Sequence, residues 1–212
     1  NSASLLGWDQ QTFMPHGAGM SRAEQLATLG RLSHEKFLTP EIGELIEGSE
    51  MECADSPYES DEASLVRIVR REYERACKIP PSLVADIARA SSLGMEAWVT
   101  AREQANFSLF QDALERIFEL HRQLSACLGF RDNIYDPLLD HYEPGMTTAL
   151  LKELFAELKQ TLIPLVHKVS QKLDFVDDSV LHCHFAEKAQ WDFGAEALKR
   201  IGFDFERGRL DK

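Results

Sequence analysis

The chain has 212 residues, 44% of them hydrophobic, and a formal charge of −12. That is enough for one good core or two small ones, in a protein that is neither disordered nor membranous; its longest apolar runs, such as Leu162 to Val166, fall far short of the ~20 residues a membrane span needs. The acidic balance argues against a nucleic-acid partner, which asks for clustered positive charge, and four scattered cysteines, Cys53, Cys77, Cys127 and Cys183, with no C-x-x-C spacing, read as reduced thiols in a cytosolic protein.

In chain order the pattern is helical. Residue 1 is Asn, which reads as a trimmed or processed start, and no secretory h-region follows it. Arg22 to Phe37 carries Leu26, Leu29, Leu32 and Phe37 near a 3.6 period. Thr39-Pro40 supplies a cap and a first-turn proline for a short helix to about Glu47. Glu41 to Glu62 holds nine acids and no Lys or Arg, which reads as a solvated connection. Ser56-Pro57-Tyr58-Glu59 reads as a capping box. The helix it opens should turn Leu65, Ile68, Val69, Tyr73 and Ala76 inward, with Arg67, Arg70, Arg71, Arg75 and Lys78 on a solvated face that offsets the neighbouring acids.

Pro80-Pro81 breaks that helix and starts another. There Val84, Ile87, Ser91, Met95, Trp98, Arg102 and Ala105 fall on roughly one face, and small Ala88, Ala90, Ser91 and Gly94 invite a close neighbour. Trp98 and Arg102, four apart, are placed for a guanidinium to lie over an indole. Phe110, Ala113, Leu114, Ile117, Phe118, His121, Leu124 and Leu128 form a second stripe ending at Gly129, a C-cap. Thr147 caps the longest pattern, Leu150, Leu151, Leu154, Phe155, Leu158, Leu162, Leu165, Val166, Val169 and Leu173, in which Pro164 predicts a kink near Gln160. A last helix runs from about Ala186 to Ile201 and stops at Gly202. With no alternating strand and no repeat, the fold class is all-α, an array of about seven to nine helices across a single region, residues 1–212.

Candidate chemistry is sparse. His182-Cys183-His184 places three potential ligands together, but adjacent side chains point apart, and His167 or Cys127 would have to come from elsewhere; it reads as a polar turn without a structural metal. His16, His34 and His141 are scattered, and His121, on an apolar stripe, reads as a hydrogen-bonded core or border histidine. Asp136, Asp140 and Glu143 offer an acid–base pair, yet Asp136-Pro137 also starts a helix with the carboxylate as its cap. G-x-S-x-G, phosphate-loop and H-E-x-x-H motifs are absent from this stretch.

Four stretches nonetheless belong together. "LLGWDQQTFMPHGAGMSRAEQLATLGRLSHE" carries Trp8, Asp9, Thr12, Met14, Pro15, Arg22, Gln25 and Leu29 in a W-D-x-x-T-x-M-P … R-A-x-Q-L-A-x-L pattern. "AWVTAREQANFSLFQDALERIFEL", "NIYDPLLDHYEPGMT" and the closing "GFDFERGRLDK" follow in order. The chain resembles the N-terminal, non-catalytic portion of the thermostable, Taq-type metallocarboxypeptidases. It departs at Ala105-Asn106-Phe107, where N-D-F is usual, and at Asp112, where proline is common.

The resemblance implies the N-terminal half of a neurolysin/ACE-like HExxH metallopeptidase fold. It implies a parent enzyme that removes C-terminal amino acids from peptides with a divalent metal, zinc or cobalt, as a cytoplasmic homodimer. The H-P-F, D-x-R-x-T and H-E-x-x-H segments that follow in the family are expected beyond Lys212, so no residue here is assigned a catalytic, cofactor-binding or metal role. The loop Met14 to Met20, pliable at Gly17 and Gly19, reads equally as a substrate-facing segment of the complete enzyme and as a plain turn. By itself the fragment is expected to be inactive and to bind no cofactor, to expose apolar surface on the Trp98 and Phe155 helices, and to need neither membrane nor nucleic acid. A second reading is a free-standing helical protein-interaction domain without peptidase activity.

Overall fold

Prolines and glycines punctuate the backbone where their φ preferences require it. The computed structural model describes residues 1–173 and 176–211, and the closing motif's Lys212 lies outside the described residues. Among the described residues there are nine α-helices and no strand: α1 Ser2–Thr12, α2 Gly19–Phe37, α3 Pro40–Glu52, α4 Asp61–Ala76, α5 Pro81–Glu103, α6 Ser108–Leu128, α7 Asp136–Tyr142, α8 Thr148–Ser170 and α9 Glu187–Arg200. Pro40, Pro81 and Pro137 sit in first turns, where a missing N–H is harmless. Gly129 (φ 83°) and Gly202 (φ 92°) follow α6 and α9 in the left-handed half of φ that side chains resist.

The chain divides into two compact units, Asn1–Thr148 and Ala149–Lys212. In the first, α5 packs on α2 and on α6, and small residues set the spacing. Ala23 and Ala27 of α2 are 0% and 1% exposed. A Cβ built on Gly30 would lie 3.6 Å from Val84 Cγ1 and 3.8 Å from Ala88 Cβ, an ordinary contact. At Gly94 the same Cβ would come to 2.8 Å from Ile117 Cδ1, so a side chain there would have to push the tip of Ile117 on α6 aside. Of the small residues Ala88, Ala90, Ser91 and Gly94, Ala88 and Gly94 meet a neighbouring helix as expected, while Ser91 is exposed. Leu120 of α6, 1% exposed, is the largest apolar side chain sealed in this core.

Several inward faces differ from the sequence expectation. On α4, Leu65 and Ile68 are 62% and 61% exposed, while Ala63 is buried. On α5, Ser91, Met95 and Trp98 face outward, and Leu83, Ala85, Ser92, Gly94 and Ala101 are buried. The physical reason is similar in both: apart from Leu83, the buried residues of these helices are alanine, serine and glycine, so the bulky stripe is not the buried one. On α6 the expected stripe is mostly half-buried, with Phe118 exposed and Leu120 and Ser125 buried beside it.

Helix starts shift as well. Thr39 stands at the N-terminus of α3 without a side-chain cap bond, and the helix runs on to Glu52. Ser56 does not open α4; Ser60 does, its Oγ accepting the Ala63 N–H at 3.3 Å. Ser60 is followed by Asp61 and Glu62, whose charges suit a helix N-terminus. Helix α1 has no strong apolar stripe to announce it, and it buries nothing of its own.

The second unit holds α8, α9 and the closing segment. Helix α8 runs unbroken through Pro164, and neither α8 nor α9 contains a buried residue. In the closing segment Phe203 and Phe205 meet edge to face at 4.8 Å. A Cβ on Gly208 would fall 2.6 Å from Phe203 Cζ, so that glycine lets the turn close on the ring.

Candidate functional site

The W-D stretch becomes a knot at the α1–α2 corner. Asp9, on α1, pairs with Arg22 of α2 at 2.5 Å, and the Arg22 side chain is only 10% exposed. Its second nitrogen donates to the Leu6 carbonyl at 2.5 Å, and its Nε donates to Gln25 Oε1 at 3.1 Å. The fork shape of guanidinium allows all three at once, where an ammonium would serve one or two. Thr12 Oγ1 donates to the Trp8 carbonyl at 2.9 Å, and the Trp8 and Phe13 rings meet at 5.5 Å. The next residue, Gln10, reaches α5, donating through Nε2 to the Ser92 carbonyl at 3.1 Å and to Ser92 Oγ at 2.9 Å. Residues 14–18 form a short turn, with a 3₁₀ segment His16–Ala18, that delivers Gly19 to the start of α2; the expected loop Met14 to Met20 thus ends two residues earlier. A Cβ on Gly19 would overlap the Glu96 carboxylate, and Glu96 Oε1 is buried without a hydrogen-bond partner.

The Asp136–Glu143 cluster is a second knot. Asp136 does not cap its own helix; its Oδ1 accepts from the Thr148 N–H at 2.8 Å and from the Thr148 hydroxyl. Asp140 Oδ2 receives Arg71 at 2.8 Å and Arg75 at 2.5 Å, while Oδ1 accepts the Gly145 N–H at 2.8 Å. Burial pushes the Asp140 carboxyl up, but the Gly145 amide and the two guanidiniums outweigh it and hold it below its ordinary value. A carboxylate held ionised by three donors is a clamp, not a poised acid.

The arginine run on α4 is therefore divided. Arg70 answers the acidic stretch through Glu50, at 2.7 Å from Nε. Arg67 lies 3.7 Å over the Tyr58 ring. Arg71 and Arg75 turn the other way, to α7. Arg102 sits 5.4 Å from the Trp98 ring centroid, as the spacing predicts.

The histidines stay apart. His121 Nδ1 lies 2.8 Å from the Ile117 carbonyl, half-buried, which matches the border reading. His34 Nε2 lies 2.7 Å from the Ile79 carbonyl, and the His141 ring packs at 5.2 Å from Tyr142. His182, exposed, meets Asp178 at 3.0 Å, and Cys183 Sγ donates to the Ser179 carbonyl at 3.4 Å. Among the described residues no group of three or more His, Cys, Asp or Glu side chains could hold a metal ion. The described residues therefore do not fit the divalent metal of a metallopeptidase.

Two concavities flank α7. One, of about 380 Å³, is lined mainly by apolar side chains of α6 and α7, with the Ser125 hydroxyl buried and without a hydrogen-bond partner. The other, of about 540 Å³, is mixed, with Leu128, Phe130 and Met146 beside the charged Arg71, Arg75, Lys78, Arg131 and Asp140. His121 and Ser125 both line the first, but the Ser125 hydroxyl has no hydrogen-bond partner and His121 Nδ1 is turned to the Ile117 carbonyl, so no nucleophile is held by a base there. The departure at Ala105-Asn106-Phe107 also has a shape: Ala105 sits at φ 48°, and Asn106 Oδ1 accepts from Ser108 N–H at 3.2 Å at the start of α6.

The sequence model of the carboxypeptidase Taq (M32) metallopeptidases matches residues 1–212. Thermostable carboxypeptidase 1 of Thermus thermophilus is 36% identical over 98% of this chain and 42% of its own length. Carboxypeptidase 1 of Bacillus subtilis is 32% identical over 100% of this chain, and again over 42% of its own length. Among solved structures, the BsuCP crystal structure superposes with a TM-score of 0.89 at 31% identity, over 99% of this chain and 42% of that one. The chain thus spans well under half the length of the relatives it matches.

Proposed function

Because the chain belongs to the carboxypeptidase Taq (M32) metallopeptidase family, we propose that it is the N-terminal helical portion of a metal-dependent carboxypeptidase that removes C-terminal amino acids from peptides. The observation that carries this is the state of the family-matching residues. Asp9, Arg22 and Gln25 are joined in one network, Thr12 bonds back to the Trp8 carbonyl on the same helix, and Asp136 and Asp140 each hold partners of their own. These residues brace helix corners, so their role is to hold a wall in shape. The metal, zinc or cobalt, and the groups that activate water belong to the remainder of the parent, which acts as a cytoplasmic homodimer.

In this reading the chain contributes rigidity and no proton transfer. The Arg22 fork fixes α1 against α2, Gln10 fixes α1 against α5, and α5 carries the alignment to α6. A free-standing interaction domain would have no need of a knot such as Asp9–Arg22, built from residues that match the family pattern.

The test is release of C-terminal amino acids from short peptides with zinc or cobalt added. The chain alone is expected to be inert. A chimera in which residues 1–212 replace the matching stretch of the Bacillus subtilis relative is expected to release them. Metal-dependent cleavage by the chain alone that survives repurification would overturn the reading, as would an inert, well-folded chimera.

A further inference from the structure

The α3–α4 pair leaves an apolar groove open to water. It holds about 290 Å³, and Phe37, Ile42, Leu45, Ile46, Leu65 and Val69 are among the side chains that line it. Leu45 and Leu65, one from each helix, are 66% and 62% exposed. Acids flank these residues. Glu41 precedes Leu45 by four positions and Glu52 follows Ser49 by three, so both share the groove-facing side of α3. On α4, Glu62 stands three positions before Leu65. All three carboxylates belong to exposed residues. Helix α3 carries five glutamates and no base, and the guanidinium that reaches it, Arg70 of α4, is engaged by Glu50.

We propose that the α3–α4 groove is a docking surface for a basic amphipathic helix of a separate polypeptide. Its apolar stripe would lie between Leu45 and Leu65, and its Lys or Arg side chains would meet Glu41, Glu52 and Glu62. The proposal stands apart from the carboxypeptidase reading. Charge selects the occupant, because an apolar groove with an acidic rim accepts a helix of opposite sign and turns away one of like sign. A second copy of this chain is a poor match. Its one basic run, on α4, is engaged within the chain: Arg67 by the Tyr58 ring, Arg70 by Glu50, and Arg71 and Arg75 by Asp140. Helices α2 and α8 each carry three Lys or Arg against two acids, which is close to balance. A surface of anionic lipid would be repelled by the same rim.

Two synthetic peptides matched to α3 in length, 13 residues, provide the test. Both carry leucines at alternating steps of three and four; one bears lysines at the flanking positions and the other glutamates. Fluorescence anisotropy reads their binding to the 212-residue chain, and to the chimera with the remainder of the Bacillus subtilis relative, across a range of salt. The basic peptide is expected to bind at least ~10-fold more tightly than the acidic one, with an affinity that falls as salt rises. Leu45→Ser combined with Leu65→Ser should weaken its binding by roughly tenfold or more. Glu41→Gln combined with Glu62→Gln should weaken it by about threefold to tenfold and flatten the salt dependence. The four substituted positions are exposed, so the fold is expected to be kept. The chimera is expected to bind as the chain does. No binding, equal affinity for the two peptides, or binding that either double variant leaves unchanged overturns the proposal. Loss of binding in the chimera overturns it as well, since the remainder of the parent would then cover the groove. Self-association of the chain that Leu45→Ser with Leu65→Ser abolishes would overturn it in favour of a second copy.

Discussion

The two compact units are built from helices of equal quality and opposite circumstance. Helix α5, in the first unit, is held on two sides, and α8, in the second, has the same length of 23 residues and buries none of them. What separates them is the kind of residue at the contact. Helix α5 meets its neighbours through Ala85, Ser92, Gly94 and Ala101, while α8 presents leucine, valine and phenylalanine. Bulky apolar periodicity marks a helix that wants a partner, and small-residue periodicity marks one that is already at close quarters.

The sharpest way to break this contrast is a matched pair of truncations. Leu120→Ala, at a site 1% exposed, is expected to destabilise by about 2–5 kcal/mol, since it removes buried area and leaves a cavity. Leu158→Ala, at a site 46% exposed, is expected to change stability by less than about 0.5 kcal/mol in the 212-residue chain. Urea denaturation of both variants reads the difference as a midpoint shift at constant slope. Equal losses would mean that α8 is already packed.

An intermediate effect is expected at Asp140. Its carboxyl is held below the ordinary value in the folded chain, so its contribution is complete above that value of 3.8 and is lost as pH falls through the lower folded-state pKa. Asp140→Asn should remove about 1–2 kcal/mol at neutral pH, discounted for a side chain 31% exposed. The gap between variant and parent should then close in acid. A gap that persists unchanged at low pH would mean that the charge is not what the clamp uses.

The smallest effect is a gain. Ala105 sits at φ 48°, where a Cβ is strained, between α5 and α6. Ala105→Gly should raise stability by about 0.5–1 kcal/mol, relief of strain being partly offset by a more flexible unfolded chain. Asn, which tolerates this region and is usual here in the resembling family, should do as well or better. A loss in both variants would show that the turn, not the residue, sets the strain.

These cases also show what was legible. Helix class, the breaks at Pro81 and Gly202 and the Trp98–Arg102 pair follow from local chemistry, and local chemistry is visible in spacing. The buried faces of α4 and α5 were not, because alanine and serine are weak markers in any hydrophobic pattern. The start of α4 was misread at Ser56, since two serines four apart both precede acids and only tertiary context chooses Ser60. The Asp9–Arg22 and Asp140–Arg71 clamps span 13 and 69 residues. No periodicity joins such positions; only the family resemblance hinted at the first.

The glycine and alanine contacts of α5 have one more consequence, and it is calorimetric. Side chains this small lose almost no rotamer freedom on folding, yet they also withdraw little hydrocarbon from water. The increment in heat capacity on unfolding scales with apolar area newly wetted, at roughly 0.45 cal/mol/K per Å². A first unit joined through Ala23, Ala27, Gly30 and Gly94 should therefore have a modest heat-capacity step for its size, and a stability that changes only gently between cold and warm.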